Sequence, residues 1–300
     1  KIQRKEFFRM PLEICALCCI IYIFRIFKKL EMYVTMNRVG FIGTGNMGYA
    51  IMKGISESAL KDSVEIHAFD VKPESLERCS SIAKLCSSEK EVLTTCKYVF
   101  LAIKPQVVDG VLDKIKDYVT EDTVIVSILA GITGEYIKSK TIPQAKVVLV
   151  MPNTPLLLNY GASALSPVEP VTDEEFNFVR SIFDSCGETA ILTPDKMKEV
   201  IAINGSSPAF IYLYAKAFID YAVENGISEQ SATNLFAQSL IGSAKMITQS
   251  GYSLDELIKM VSSPGGTTLA GLDELYKGDL LGITKKCCQS CTKRAYELSK

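Results

Sequence analysis

The chain has 300 residues, of which 48% are hydrophobic and 22% charged, so disordered and fibrous classes are excluded and there is room for one large domain or two modest ones. A formal net charge of -1 and a pI of about 6.1 leave no excess of Lys and Arg to neutralise phosphates, so no nucleic-acid partner is expected. Small-molecule chemistry is the class that remains.

Near the start, Ile14 to Phe27 is almost wholly apolar between basic flanks. That run is shorter than the roughly 20 residues a bilayer span needs, and no small-residue cleavage site follows it. The expectation is that residues 1–35 form a non-native or disordered extension and that the fold begins near Met36; an interfacial anchor is the rival reading. With no spanning segment, a cytoplasmic location is expected.

From Arg38 onward, short β-branched runs alternate with helical patterns: Val39–Ile42, Val64–Phe69, Tyr98–Ala102, Thr123–Leu129, Lys146–Met151 and Thr189–Leu192. Continuous apolar strands such as Val124 to Leu129 imply burial on both faces, as in a parallel sheet wrapped by helices. Directly after the first of these strands stands Gly43-Thr44-Gly45-Asn46-Met47-Gly48, a full GxGxxG that opens a helix. The first glycine permits the tight turn, the second lets backbone approach a pyrophosphate, and the third lets helix and strand pack closely, while the helix N-terminus offers free N–H groups to the anion. The second strand ends at Asp70, placed to accept from the adenine ribose hydroxyls of NADH; Lys72 stands near enough to offset its charge, so NADH and NADPH both remain open. Asn153, at the carboxyl end of another strand, is a further candidate ligand-binding residue.

After Thr193-Pro194-Asp195 the strands stop and the chain reads at helical period to Lys300. Ser206-Ser207-Pro208 looks like a cap followed by a first-turn proline, Gly226 like a C-terminal stop, Ser228 like a cap, and Ser253 with Glu256 like a capping box. Apolar residues on more than one face, as in Phe210 to Ala215, suggest burial against a second copy. The boundaries expected are therefore 36–195 for a dinucleotide-binding domain and 196–300 for a helical one.

Ten cysteines in a chain without regular spacing read as reduced thiols rather than a disulfide framework. Cys287, Cys288 and Cys291 come nearest to a metal pattern, but His67 is the only histidine, so no metal is expected.

Taken in order, five segments resemble the pyrroline-5-carboxylate reductase family: Gly43 to Gly48, Ala102-Ile103-Lys104-Pro105, Met151-Pro152-Asn153-Thr154-Pro155, Gly205 to Phe210, and Ser262-Ser263-Pro264-Gly265-Gly266-Thr267-Thr268. The last of these is the most specific. The resemblance implies an α/β protein with an N-terminal Rossmann-like doubly wound sheet and an all-helical C-terminal dimerisation domain. It implies NADPH or NADH as donor, pyrroline-5-carboxylate as substrate, and a homodimer through the helical domain that some members extend to a higher assembly such as a decamer. It also implies that Ala102 to Pro105, with Leu129 and Ala130, border the ribose and nicotinamide, and that Ser263, Gly265, Gly266, Thr267 and Thr268 hold the substrate.

That chemistry suits these residues. The substrate is a ring carrying a carboxylate and a C=N bond, so the protein must anchor an anion and orient an electrophilic carbon. Glycines running into a helix start offer backbone N–H groups to the carboxylate, and the hydroxyls of Thr268 and Ser263 can orient the ring nitrogen and add a donor. Positioning and water exclusion need no strong acid, which fits a chain with one histidine. Two other readings stay open: a β-hydroxyacid dehydrogenase using Lys216 or Lys245, and a regulatory homologue that binds the dinucleotide without turnover.

Overall fold

The computed structural model describes residues 36–299; the expectation for residues 1–35 lies outside them. Eight strands form one sheet: β1 (Asn37–Ile42), β2 (Val64–Phe69), β3 (Lys84–Leu85), β4 (Tyr98–Leu101), β5 (Val124–Ser127), β6 (Lys146–Met151), β7 (Gly161–Val168) and β8 (Gly187–Ile191). Their order is β3-β2-β1-β4-β5-β6-β7-β8, and every neighbouring pair is parallel except β6 with β7. The order reverses between β1 and β4, which opens a crevice above the carboxyl ends of those strands.

Six helices accompany the sheet: α1 (Asn46–Glu57), α2 (Pro73–Glu77), α3 (Glu89–Thr95), α4 (Val108–Ile115), α5 (Gly134–Lys140) and α6 (Asp173–Asp184). They divide the core in two. One cluster joins Val39, Phe41, Phe100 and Val126 of the strands to Ile51, Ile55 and Phe183 of α1 and α6; the other joins Leu101, Ile125 and Val147 to Leu112 and Ile137 of α4 and α5. Alternate strand residues feed opposite clusters, as the period of two requires, so the central strands are apolar on both faces. Cys79, Cys86, Cys96 and Cys186 sit in these layers with free thiols. Burial pushes all four up, Cys96 to about 12, which keeps them protonated and unreactive. His67 is a buried residue of β2, and its Nε2 meets Glu65 Oε1 at 2.7 Å.

Beyond β8 the chain is helical: a π-helical turn (Ile201–Gly205), then α7 (Ser207–Glu224), α8 (Glu229–Gln249), α9 (Leu254–Met260), α10 (Thr267–Lys277) and α11 (Leu280–Leu298). The Ser253–Glu256 capping box forms in both directions, and the Ser228 hydroxyl accepts from Ser231 N–H. Gly226 takes the left-handed conformation just past α7. Ser206 does not cap α7 with its side chain, in contrast to the sequence expectation. Its own N–H closes the π turn onto Ile201 O at 2.8 Å, so the chain enters α7 already helical. Large apolar side chains stay uncovered along α7 and α8, among them Leu213 at 71% and Leu235 at 69% exposure. Among the described residues no helix is long and apolar enough to cross a membrane.

Candidate functional site

The glycine loop lies where β1 meets α1 and is held from two sides. Gly43 N–H donates to Phe69 O at 2.8 Å, and Ala102 N–H donates to Ile42 O at 2.9 Å, tying the loop to β2 and to the end of β4. Gly43 has φ of 99°, and a Cβ there would fall 2.4 Å from Ala102 O. A Cβ on Gly48 would fall 2.5 Å from Gly43 O, so the third glycine sets how closely α1 packs on its own strand. Gly45 faces open space instead. Gly45 also occupies the N-cap of α1, no side chain caps that end, and no acid stands in its first turn. The N–H groups of Asn46 and Met47 are thus left at a positive helix end beside an open approach, which is the cradle a pyrophosphate requires.

Next to the loop is a cavity of about 300 Å³ lined by Ile42 and Gly43, Phe69 to Val71, and Ile103 and Val107. Mostly apolar walls, with the carboxylates of Asp70 and Glu89 and the ammonium of Lys114, suit an adenosine. Asp70 stands at its edge. Its Oδ2 accepts from Thr44 N–H at 2.7 Å and from Thr44 Oγ1 at 3.2 Å, and its Oδ1 accepts from Lys72 N–H at 2.9 Å. A carboxylate has about four acceptor positions, so one on Oδ1 remains for a ribose hydroxyl. Ile103 and Pro105 are half-buried on the loop after β4, with Lys104 exposed between them; Leu129 is buried and Ala130 half-buried just after β5. Asn153 is 7% exposed, and its Oδ1 accepts Ala162 N–H at 2.9 Å. It therefore joins the end of β6 to the start of β7.

The sequence segments Met151 to Pro155 and Gly205 to Phe210 meet at a second cavity, lined by Thr154, Ser206, Phe210 and Cys291. Asn204, unmarked in the sequence, makes the junction. Its Nδ2 donates to Met151 O at 2.6 Å and to Ala162 O at 2.9 Å, from within the π turn. Arg78 was likewise unmarked: its Nη2 donates to Thr44 O at 2.9 Å while its guanidinium lies 4.2 Å above the Tyr49 ring.

The Ser263–Thr268 loop occupies the helical half, exposed in the protomer and leading into α10. Gly265 has φ of 70°, and a Cβ on Gly266 would meet Ser263 Oγ at 2.6 Å. Gly266 N–H is bonded to Ser263 O at 2.9 Å, so the first-turn groups of Thr267 and Thr268, at an uncapped helix start, are the ones open to an anion.

The geometry has close relatives. A family profile for pyrroline-5-carboxylate reductase dimerisation matches residues 194–298, and one for NADP oxidoreductase, coenzyme F420-dependent, matches residues 38–131. The pyrroline-5-carboxylate reductase of Escherichia coli is 31% identical over 266 residues, covering 88% of this chain and 99% of its own. The chain belongs to the pyrroline-5-carboxylate reductase family. The reductase of Pisum sativum is 34% identical over 87% of this chain and 96% of its own. Among solved structures, the Plasmodium falciparum pyrroline carboxylate reductase with NADP bound matches with a TM-score of 0.80 at 28% identity, over 88% of this chain and 98% of its own.

Proposed function

We propose that this chain reduces L-1-pyrroline-5-carboxylate to L-proline, the last step of proline biosynthesis, with NADPH or NADH as hydride donor. The observation that carries it is the pairing of an uncapped, glycine-lined helix start at β1 with the Ser263–Thr268 loop, in a chain alignable with pyrroline-5-carboxylate reductases over nearly their whole length. When bound, the reduced nicotinamide supplies the hydride; the chain supplies place and polarity. Gly43, Thr44, Gly45, Asn46 and Met47 receive the pyrophosphate, and Asp70 accepts from the ribose. Ala102, Ile103, Lys104 and Pro105 border the ribose and nicotinamide with Leu129 and Ala130, and Asn153 stands at the floor beside them. The loop of Ser263, Gly265, Gly266, Thr267 and Thr268 holds the substrate carboxylate at the start of α10, and the Thr268 hydroxyl orients the ring nitrogen while Ser263 adds a donor.

Residues 36–195 form the dinucleotide-binding unit in this reading and 196–300 the dimerisation and substrate-binding unit. Exposed Leu213 and Leu235 on α7 and α8 support pairing of two chains through that helical unit, with a higher assembly such as a decamer built on the dimer. The setting proposed is the cytoplasm. Oxidation of NADH and NADPH by the purified chain with pyrroline-5-carboxylate tests the activity directly: turnover is expected, and dinucleotide binding without turnover would move the case to the regulatory homologue. Turnover of hydroxy acids instead would favour the β-hydroxyacid dehydrogenase reading.

A further inference from the structure

The adenosine cavity carries a charge pattern that hydride transfer does not require. Its lining holds Asp70 at the end of β2, Glu89 at the start of α3, and a single ammonium, that of Lys114 on α4. Glu89 is only 8% exposed, and its Oε1 accepts from Lys114 Nζ at 2.9 Å. That cation is therefore matched by its own carboxylate, and the remaining charge on the wall is the carboxylate of Asp70. The Arg78 guanidinium, bonded to the glycine loop, is held against Thr44 O and the Tyr49 ring.

Burying a carboxylate costs free energy that an ion pair with a largely exposed lysine offsets only in part. A polar occupant of the cavity gives the carboxylate a use. A ribose diol offers hydrogen-bond donors to carboxylates, whereas a 2′-phosphate brings close to two further negative charges and no donor. Resting on the dinucleotide reading above, we propose that Glu89 acts with Asp70 as a second determinant of cofactor choice, so that this cavity takes the free 2′-hydroxyl of NADH and turns away the 2′-phosphate of NADPH.

Calorimetric titration with NAD⁺ and NADP⁺ tests this without turnover. Wild-type protein is expected to bind NAD⁺ at least about tenfold more tightly, the scale of one uncompensated like charge nearby. Glu89→Gln should narrow that ratio about fivefold by strengthening NADP⁺ alone, and Lys114→Gln, which strips Glu89 of its partner, should widen it by a similar factor. Equal affinity for the two dinucleotides in the wild type overturns the proposal. So does an equal change in both affinities on Glu89→Gln, which would put Glu89 against the adenine ring or in a purely structural role. If Glu89→Gln does not fold, an unchanged ratio in Lys114→Gln overturns it instead. Turnover of pyrroline-5-carboxylate is followed in parallel: its absence alongside selective NAD⁺ binding would sink the assigned reaction and leave the cofactor inference standing.

Discussion

Asp70 and Thr44 are joined twice, by the Thr44 N–H at 2.7 Å and its hydroxyl at 3.2 Å on one carboxylate oxygen. The residue proposed to meet the ribose therefore also holds the first half of the glycine loop in place. Asp70→Ser is expected to act on both. Removing the negative charge should shift the NADPH to NADH ratio of kcat/KM upward by about fivefold to tenfold, and loss of the latch should lower stability by about 1 kcal/mol. Steady-state kinetics with both reduced dinucleotides and a thermal melt check the two effects separately. An unchanged cofactor ratio would mean that Asp70 serves the loop and not the ribose.

Gly45 and Gly48 separate open space from packing space. A Cβ on Gly48 would strike the Gly43 backbone carbonyl at 2.5 Å, and since neither a Cβ nor a backbone oxygen can turn aside, no rotamer change relieves it. Gly48→Ala should destabilise the fold by about 2 kcal/mol and weaken both dinucleotides with it. Gly45→Ala meets nothing within 4 Å, so its melting temperature should match the wild type while dinucleotide affinity falls by about tenfold or more. Titration and melting of the two variants side by side give the comparison; a Gly45→Ala protein that binds normally would show that no pyrophosphate approaches there.

How much of this was legible beforehand follows from which signals are local. Strands β1, β2, β4, β5, β6 and β8 were readable because their β-branched runs are continuous, although β5 ends sooner than the apolar run suggests, where Ser127 Oγ accepts Leu129 N–H and turns the chain. β7 was not readable. Gly161-Ala162-Ser163-Ala164-Leu165-Ser166-Pro167 has the composition of a loop, yet β6 and β8 pair with it on either side, and a Cβ on Gly187 would fall 2.0 Å from Gly161 O. Tertiary pairing overrides propensity there. The glycine loop and Asp70 were legible because a spacing rule connects them. Glu89 was not, since Ser88 and Glu91 already explain an acidic helix start, and only the approach of α4 turns Glu89 into part of a cavity wall.

Glu175 ties pH to stability away from the site. Burial alone would raise its pKa, but hydrogen bonds from Lys146, from Thr172 N–H and from Lys97 outweigh burial and hold it at about 2. A folded pKa below the ordinary carboxylate value means that the stabilisation is complete above about 4.5 and is lost as pH falls toward about 2. Glu175→Gln should therefore lower stability at pH 7 by about 3 kcal/mol, because Lys146 is left half-buried without its carboxylate. The same variant should lose less than the wild type between those two pH values. Denaturant titrations at several pH values check both; parallel acid profiles would show that Glu175 does not carry this part of the pH dependence.

Thr268 lies in the first turn of α10, two residues after Gly266, whose own N–H is already bonded to Ser263 O at 2.9 Å. The loop geometry is thus fixed by Ser263 and Gly266, and the Thr268 hydroxyl is exposed and free of that duty in the protomer. Thr268→Ala should leave the fold and dinucleotide affinity as they are while kcat with pyrroline-5-carboxylate falls by about 10- to 100-fold, the scale for losing one orienting contact in the transition state. Thr268→Ser keeps the hydroxyl and should recover most of the rate, which a role in packing through the methyl group would not allow. Equal loss of turnover and dinucleotide binding in Thr268→Ala would instead mean that Thr268 shapes the cofactor site, and the substrate role would pass to its neighbours Ser263 and Thr267.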